Sequence, residues 1–215
     1  KAHNLIQSNL YIGKETGSAK KVGQLEFFET LKPLSQKEGI ETETINVGNK
    51  AIRGCISCNS CAKSGKCVFD DDVNVIAKKF EEADGLIIGT PTYYAGSNGT
   101  LLSLLDRLFY STHFEKTMKV AAAVLSSRRA GSTSAFDEIN KYFTIAGMAI
   151  ASSTYWNEVH GFTAQDVEKD LEGLRTMRNL ARNTAFLVKA IALGKEKYGL
   201  PQSEKEPFTN FSDGL

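Results

Sequence analysis

The four cysteines of this chain are the residues whose type and spacing restrict its chemistry most. Cys55, Cys58 and Cys61 form a C-x2-C-x2-C run, and Cys67 follows shortly after; the 215-residue chain has 4 cysteines in total. Such a run lets one tightly wound loop direct three thiolates at a single centre, and the fourth cysteine can complete the site. Four thiolates match the ligand number and softness required by an iron–sulfur cluster or a zinc ion.

Three kinds of site compete for these cysteines. Bacterial ferredoxins use a similar run for a [4Fe–4S] cluster, and the small residues Ser57, Ser60 and Gly65 would leave backbone N–H groups able to face its sulfurs. Structural zinc sites more often combine two well-separated C-x2-C pairs. A reducible pair of thiols would need no metal. Extracellular disulfides are not expected, because the chain is long enough for a large core and shows no signal peptide.

Composition indicates an ordinary globular protein. The chain is 41% hydrophobic and 24% charged, with a formal net charge of +1, which suits one domain with a substantial core. Near-neutral charge without a basic run argues against nucleic acid as a partner. No apolar stretch is long enough to span a bilayer. We therefore expect a cytoplasmic protein that binds neither nucleic acid nor membrane.

Strand and helix patterns alternate along the chain. Short apolar or alternating segments predict strands at 9–14, 40–47, 85–89, 119–125 and 149–153. Apolar residues at helical spacing predict helices at 25–34, 72–80, 101–110, 132–146 and 164–193. Parallel neighbours need crossovers that bury both sheet faces. The pattern therefore predicts a flavodoxin-like, doubly wound α/β fold with a five-stranded parallel sheet over residues 1–193. The cysteine loop, 54–68, is inserted after the second strand, and 194–215 form an irregular tail.

Ligands of such sheets bind beyond the carboxyl ends of the strands, which directs attention to the loops there. After the first strand, small residues open a helix, and Ser18 and Lys20 add a hydroxyl and a positive charge. Backbone N–H groups and the helix dipole would make this loop a seat for a phosphate monoester. It matches neither a dinucleotide fingerprint nor a P-loop. The alternative is an ordinary turn.

Two further loops are expected at the same rim. Tyr93 and Tyr94 follow the third strand among small residues, which suits a flat heteroaromatic ligand; alternatively, they cover the end of the sheet. Arg128 and Arg129 follow the fourth strand, where arginines are also often simply solvated.

The fifth strand is expected to bring Trp156 and His160 to the rim. There Trp156 would form a pocket wall and His160 would donate a proton; alternatively, both residues are structural. No Ser–His–Asp order or metal-binding His pair is present, so hydrolase chemistry has little support.

Taken together, the chain resembles the NAD(P)H-dependent FMN reductases of the flavodoxin-like iron–sulfur flavoprotein group. The resemblance covers about residues 10–193 and is carried by the cysteine run and by residues 17–18, 91–94, 105–108 and 127–131. It implies bound FMN, a [4Fe–4S] cluster on Cys55, Cys58, Cys61 and Cys67, NAD(P)H as co-substrate, and a homodimer or homotetramer whose subunits meet around the flavin.

The resemblance also implies which residues bind FMN. The phosphate is expected at Ser18, Lys20, Gly23, Gln24 and Leu25, the isoalloxazine along Pro91, Thr92, Tyr93, Tyr94, Ala95 and Gly96, and further contacts from Ser127, Arg128, Arg129 and Gly131. Family phosphate loops usually carry Arg and Thr where this chain has Lys20 and Leu25, which predicts weaker phosphate binding.

The implied reaction is hydride transfer from NAD(P)H to FMN, followed by single-electron exchange through the cluster with a small-molecule or protein acceptor. No protein residue need act as a nucleophile; Arg128 and Arg129 would face anionic groups on the reduced flavin or the nicotinamide nucleotide. Two alternatives are a flavodoxin-like electron carrier and a cluster-free FMN-dependent quinone or nitro reductase with zinc or thiols at the cysteines.

Overall fold

Strands and helices alternate around a parallel sheet in the computed structural model, which describes residues 9–11, 37–45, 47 and 51–204. The strands are β1 (Asn9–Tyr11), β2 (Gly85–Pro91), β3 (Val120–Ser127), β4 (Ala149–Ile150) and β5 (Glu158–His160). The helices are α1 (Cys61–Ser64), α2 (Asp72–Glu82), α3 (Gly99–Ser111), α4 (Ser132–Ile145), α5 (Ala164–Val167) and α6 (Leu171–Tyr198). None of these helices is both long and apolar enough to cross a bilayer.

Every strand pair in the described sheet is parallel, in the order β1-β2-β3-β4. β2 and β3 pair along their whole length, from Gly85 opposite Val120 to Pro91 opposite Ser126. β2 is buried from Gly85 to Thr90, which explains its continuous apolar sequence, because helices cover both faces of a parallel sheet. β4 pairs with the beginning of β3 and β5 with its end, so together they form one interrupted edge.

Two hydrophobic cores lie on opposite faces of the sheet. Leu86 and Ile88 of β2 face the core beneath α2, α3 and α4, whereas Ile87 faces the core beneath α6. This division follows from the alternation of side chains along a strand. The α6 side is closed by small and apolar residues of that helix such as Leu180 and Ala185. Helices on both faces of a parallel sheet make the fold flavodoxin-like, as predicted.

The predicted second strand at 40–47 is not a strand in the described part of that range. Among residues 40–45 and 47, only Thr44 makes a β-bridge. Ile40 is buried in one core, and Val47 in the other with Ile45 against it. In the described residues the apolar side chains of this segment are thus buried without a continuous ladder, and the five observed strands are not the five predicted. The cysteine loop still follows this segment.

The edge beside β3 also differs from the prediction. The strand expected at 149–153 ends at Ile150, and β5 was not predicted because three residues carry too little periodicity to be recognised. Strand residues 9–11 are confirmed, while 12–14 and the predicted helix at 25–34 lie outside the described residues.

The long C-terminal helix is interrupted and then runs further than expected. Instead of one helix over 164–193, α5 ends at Val167, and α6 begins after Asp170, whose carboxylate accepts a hydrogen bond from Gly173 N–H. α6 continues through Gly194 to Tyr198, past the boundary drawn at 193. An interior glycine costs a helix only about 1 kcal/mol, and the helix stops at Gly199, where φ is +76°. The described residues after it, 200–204, are irregular.

Candidate functional site

Two of the predicted ligand loops meet at the carboxyl ends of β2 and β3. The N–H of Thr92 donates to the carbonyl oxygen of Ser126 at 2.8 Å. A methyl group placed on Gly131 would lie 3.2 Å from Cγ2 of Thr92. Gly131 has a φ of +94°, which favours glycine, and it precedes α4 directly. The tertiary structure therefore joins residues 91–97 and 127–131 into one rim surface.

The first of these loops is a tight turn that presents its tyrosines outward. Thr92 and Ser97 form an antiparallel bridge, and the N–H of Tyr93 donates to the carbonyl of Gly96 at 2.8 Å. Tyr94 at the tip is fully exposed, and Tyr93 is partly exposed. Tyr94 therefore does not cover the end of the sheet, and its ring is available for stacking.

Three buried hydroxyls at this rim have no hydrogen-bond partner in the described part of the chain. They are Thr92 Oγ1, Ser97 Oγ and Ser127 Oγ. A buried polar atom without a partner costs about 1–3 kcal/mol, and such atoms are rare in folded proteins. Their concentration where two loops meet makes this part of the rim suitable for a ligand with polar atoms.

The edge of the rim nearest β5 forms a cleft of about 590 Å³. It is lined by Arg128, His160, Gly161, Phe162 and Asp166. Arg128 and Arg129 are both exposed, so their charges face solvent.

His160 is held by Asp170. The backbone N–H of His160 donates to Oδ2 of Asp170 at 2.7 Å, and its Nδ1 lies 3.6 Å from the same oxygen. The contacts of His160 are therefore those of a residue that joins β5 to the start of α6. Trp156 is half exposed and packs against Tyr155 with ring centroids 4.9 Å apart. These contacts support structural roles for both residues.

The four cysteines line one recess against the second half of α3. The other residues of this recess are Ile56, Asn59, Val68, Phe69, Arg107, Tyr110 and Ser111. The loop is tightly wound: Ser57 and Asn59 have φ values of +54° and +55°. No disulfide joins any of the cysteines, all of which lie in the described region. Cys67 therefore shares a recess with the first three cysteines, and the binding of one metal centre by all four stays a prediction.

Hydrogen bonds reach the sulfurs of two cysteines in this loop. The N–H of Ser57 points at Cys55 Sγ, 3.4 Å away. Hydrogen bonds from Ser60 lower the pKa of the Cys58 thiol. The bond from the Ser60 side chain has the largest effect, and the bond from its backbone has the next largest. Thiolates are the forms that bind metals.

Cys67 is positioned by two helices at once. The side chain of Asn74 on α2 accepts from the N–H of Cys67 and donates to its carbonyl, both at 3.0 Å. From α3, Nε of Arg107 donates to Cys67 Sγ at 3.2 Å. Backbone and sulfur are therefore both fixed.

Arg107 is itself rigidly held. Its side chain is 1% exposed and makes two hydrogen bonds to the carboxylate of Asp71, at 2.7 and 2.9 Å. It also donates to the carbonyl of Arg53 at 3.3 Å and lies over the ring of Phe69. Burial alone would lower the pKa of Arg107, but hydrogen bonds and charge from Asp71 and Cys67 raise it above its usual value. The guanidinium is therefore a permanent buried cation beside a cysteine sulfur.

Four cysteine side chains line the recess, which is the ligand number that a [4Fe–4S] cluster or a zinc ion requires. Within the described residues, no three His, Cys, Asp or Glu side chains are grouped closely enough to hold one metal ion. Ser111, which is 2% exposed, adds a buried hydroxyl without a partner to the recess wall.

The family match is now decisive. The profile of the family described as NADPH-dependent FMN reductase matches residues 17–163. The chain belongs to this family. The matched range contains both rim loops and all four cysteines, and it makes the protein an FMN-dependent oxidoreductase. Ser18, Lys20, Gly23, Gln24 and Leu25 lie within it but outside the described residues, so their contacts with the phosphate remain predictions.

Curated relatives of this chain carry the name iron-sulfur flavoprotein. An iron-sulfur flavoprotein of Methanocaldococcus jannaschii is 36% identical over 171 residues, which cover 76% of this chain and 88% of the relative. One from Methanosarcina thermophila is 29% identical over 168 residues, covering 76% and 87%.

Among solved structures, RosB with bound 8-demethyl-8-formylriboflavin-5'-phosphate has a TM-score of 0.67 at 16% identity, with 96% of this chain and 94% of RosB covered. A flavodoxin from the domain Archaea has a TM-score of 0.53 at 16% identity, covering 86% and 99%. At these identities the structures confirm the fold alone.

Sequence reasoning missed the residues that support the cysteines. Arg107 lies within the family motif at residues 105–108, but no role was predicted for it or for Asp71. The available signal was a charged residue among the leucines of an amphipathic helix, because a buried arginine requires an acidic partner.

Proposed function

We propose that the protein takes a hydride from NAD(P)H at bound FMN and exchanges single electrons through a [4Fe–4S] cluster on Cys55, Cys58, Cys61 and Cys67. The observation that carries the proposal is the recess in which all four cysteines meet, with Arg107 bonded to Cys67. When bound, the flavin would supply two-electron chemistry and the cluster one-electron chemistry. The protein would thus convert between two-electron and one-electron partners.

At the rim, the chain's own residues would bind and orient the flavin. Thr92, Ser97 and Ser127 would give their unpartnered hydroxyls to its ribityl or phosphate oxygens. Tyr94 would stack against an aromatic ring. Arg128 and Arg129 would face negative charge on the reduced flavin or on the nicotinamide nucleotide.

Two features support a cluster over zinc at the cysteines. The first is the C-x2-C-x2-C run with Cys67, a spacing typical of cluster ligands, and all four cysteines line one recess. The second is the donor set of buried groups: Arg107 and Ser111 bring N–H and O–H groups to the recess, and sulfur-rich anionic clusters are stabilised by such donors. The relatives above, which are named iron-sulfur flavoproteins, support the same choice.

The distance between the two sites supports a homodimer or homotetramer. The rim lies at the Gly99 end of α3 and the recess at its Ser111 end. A helix of this length spans about 18 Å, which is long for electron transfer within one subunit. Beside Cys55, a cleft of about 780 Å³ with aromatic walls opens at the recess end. A second subunit that placed its rim here would shorten the path.

The deciding experiment is anaerobic purification followed by FMN, iron, sulfide and zinc analysis of one sample. We expect one FMN, about four irons per chain and broad absorbance near roughly 400 nm. Cys61→Ser should lose iron but keep FMN. Zinc or an absence of metal would contradict the cluster, and colourless protein that does not bind added FMN would contradict the flavin.

Turnover and mass complete the test. Steady anaerobic oxidation of NAD(P)H with a one-electron dye as acceptor is expected of an enzyme; flavin that NAD(P)H cannot reduce would instead indicate a carrier fed by another protein. Light scattering after size exclusion should give twice or four times the 23.5 kDa chain mass, and a monomer would contradict the assembly.

A further inference from the structure

We infer that Arg107 and Ser111 raise the reduction potential of the iron–sulfur cluster by donating hydrogen bonds to its sulfurs from one face of α3. This inference rests on the proposed cluster. Neither residue touches the flavin rim, so their role is to position and tune the cysteine site rather than to react. They lie one helical turn apart, which places both on the same side of α3.

Arg107 already makes the hydrogen bond that the inference requires. Its Nε lies 3.2 Å from Cys67 Sγ. Its other nitrogens are committed to Asp71 and to the carbonyl of Arg53. The fork is therefore anchored on its far side, and Nε cannot turn away from the sulfur without breaking these bonds. Its charge is buried, so water screens it little.

Ser111 supplies the second donor. Its side chain is buried, its hydroxyl has no partner in the part of the chain that the structure describes, and it lines the recess with the four cysteines. The other side-chain oxygens of the recess wall are Asn59 Oδ1 and the Tyr110 hydroxyl, and these two already bond to each other at 3.2 Å. Sulfur is therefore the acceptor that the Ser111 hydroxyl would find once a cluster is bound.

The effect on the potential follows from charge. Reduction adds one electron to a centre that is already anionic, with no bond broken and no proton required. A buried cation and two hydrogen-bond donors at the sulfurs stabilise the more negative, reduced form more than the oxidised form. Removing either donor should therefore make the cluster harder to reduce.

The test is an anaerobic potentiometric titration of the cofactor-loaded protein with dithionite, followed by electron paramagnetic resonance of the reduced cluster. Arg107→Lys keeps a cation for Asp71 but loses the Nε–H that donates to Cys67. Ser111→Ala removes only the hydroxyl. The matched control is Thr184→Val, because Thr184 Oγ1 is another buried hydroxyl without a partner in the described chain, on α6 across the sheet.

We expect Arg107→Lys to lower the equilibrium constant for reduction about tenfold, or ~59 mV for one electron. Ser111→Ala should lower it about threefold, or ~28 mV. Thr184→Val should match the wild type, and iron and FMN contents should be unchanged in Ser111→Ala.

Potentials equal to the control in both variants would overturn the inference and leave the proposed function standing. If Arg107→Lys fails to retain iron, Ser111→Ala decides the question by itself. A wild-type protein without iron and sulfide would overturn the proposed cluster, and this inference with it.

Discussion

Replacing Asp71 tests whether the buried arginine ties the cysteine loop to the fold. Both carboxylate oxygens of Asp71 accept hydrogen bonds from Arg107, and Oδ1 also accepts from the N–H of Val73 at 3.1 Å, where α2 begins. Asp71→Asn keeps a good helix cap but removes the negative charge. Asp71→Ala removes both the charge and the cap.

The expected magnitude follows from the burial of the two partners. Breaking a buried ion pair by removing one member costs about 3–5 kcal/mol. The Asp71 side chain is 32% exposed although that of Arg107 is only 1% exposed, and an asparagine oxygen can still accept one hydrogen bond. We therefore expect Asp71→Asn to lower the free energy of unfolding by about 2 kcal/mol. The lost cap should bring Asp71→Ala to about 3 kcal/mol.

The assay is urea unfolding followed by circular dichroism, with cofactor content verified for each variant. Glu172→Gln is the control, because it breaks an exposed pair with Arg175 on α6 and should change the free energy of unfolding by less than ~0.5 kcal/mol. If Asp71→Asn unfolds like Glu172→Gln, the buried pair does not hold the loop. If the two Asp71 variants are equal, the cap contributes nothing.

Three further changes test the rim and the opposite end of the sheet. Ser127→Ala should stabilise the flavin-free protein by about 1 kcal/mol, because it removes a buried hydroxyl without a partner, yet weaken FMN binding about tenfold in a fluorescence titration; unchanged affinity would show that FMN does not use it. Gly131→Ala should cost about 1–2 kcal/mol in urea unfolding, since φ is +94° and its new methyl group would lie 3.2 Å from Thr92 Cγ2; wild-type stability would contradict this strain. Burial, and then the hydrogen bond to Asp106, raises the pKa of Tyr142 above its usual value. The contribution of the neutral Tyr142 hydroxyl to the free energy of unfolding is therefore complete below about pH 10, where unfolded tyrosine titrates, and it is lost as pH rises further. Tyr142→Phe should flatten that alkaline decline in unfolding free energy, and parallel pH profiles would refute the assignment.

The central strands and the helices between them were predictable because their patterns have one physical cause. β2 and β3 are buried on both faces, and only a continuous apolar run satisfies that environment. Residues 40–47 show the limit of such patterns: Ile40 and Val47 are both buried, each in a different core, but burial does not decide whether the backbone joins a ladder. The short edge strands could not be predicted correctly, because two or three residues are too few to show a periodic pattern.

The candidate site also combines features that the sequence predicts with features that it does not. The candidate metal ligands could be recognised from the cysteine run, because soft metal centres require thiolates. The loops at Pro91 and Ser127 could be placed at one rim because ligands of parallel sheets bind beyond the carboxyl ends of the strands. The unpartnered hydroxyls of Thr92 and Ser127 had no signature, because a serine or threonine in a loop is ordinary until its surroundings are known.

The sequence by itself determined the fold class, the four cysteines that could ligate a metal centre and the end of the sheet where a flavin would lie, because each depends on residue type and local spacing. Only the tertiary structure decided that Arg107 bonds to Cys67 across a separation of 40 residues, and that Asp71 and Asn74 hold this pair in place. Burial and hydrogen-bond partners arise where helices from distant parts of the chain pack together, and no local pattern encodes that contact.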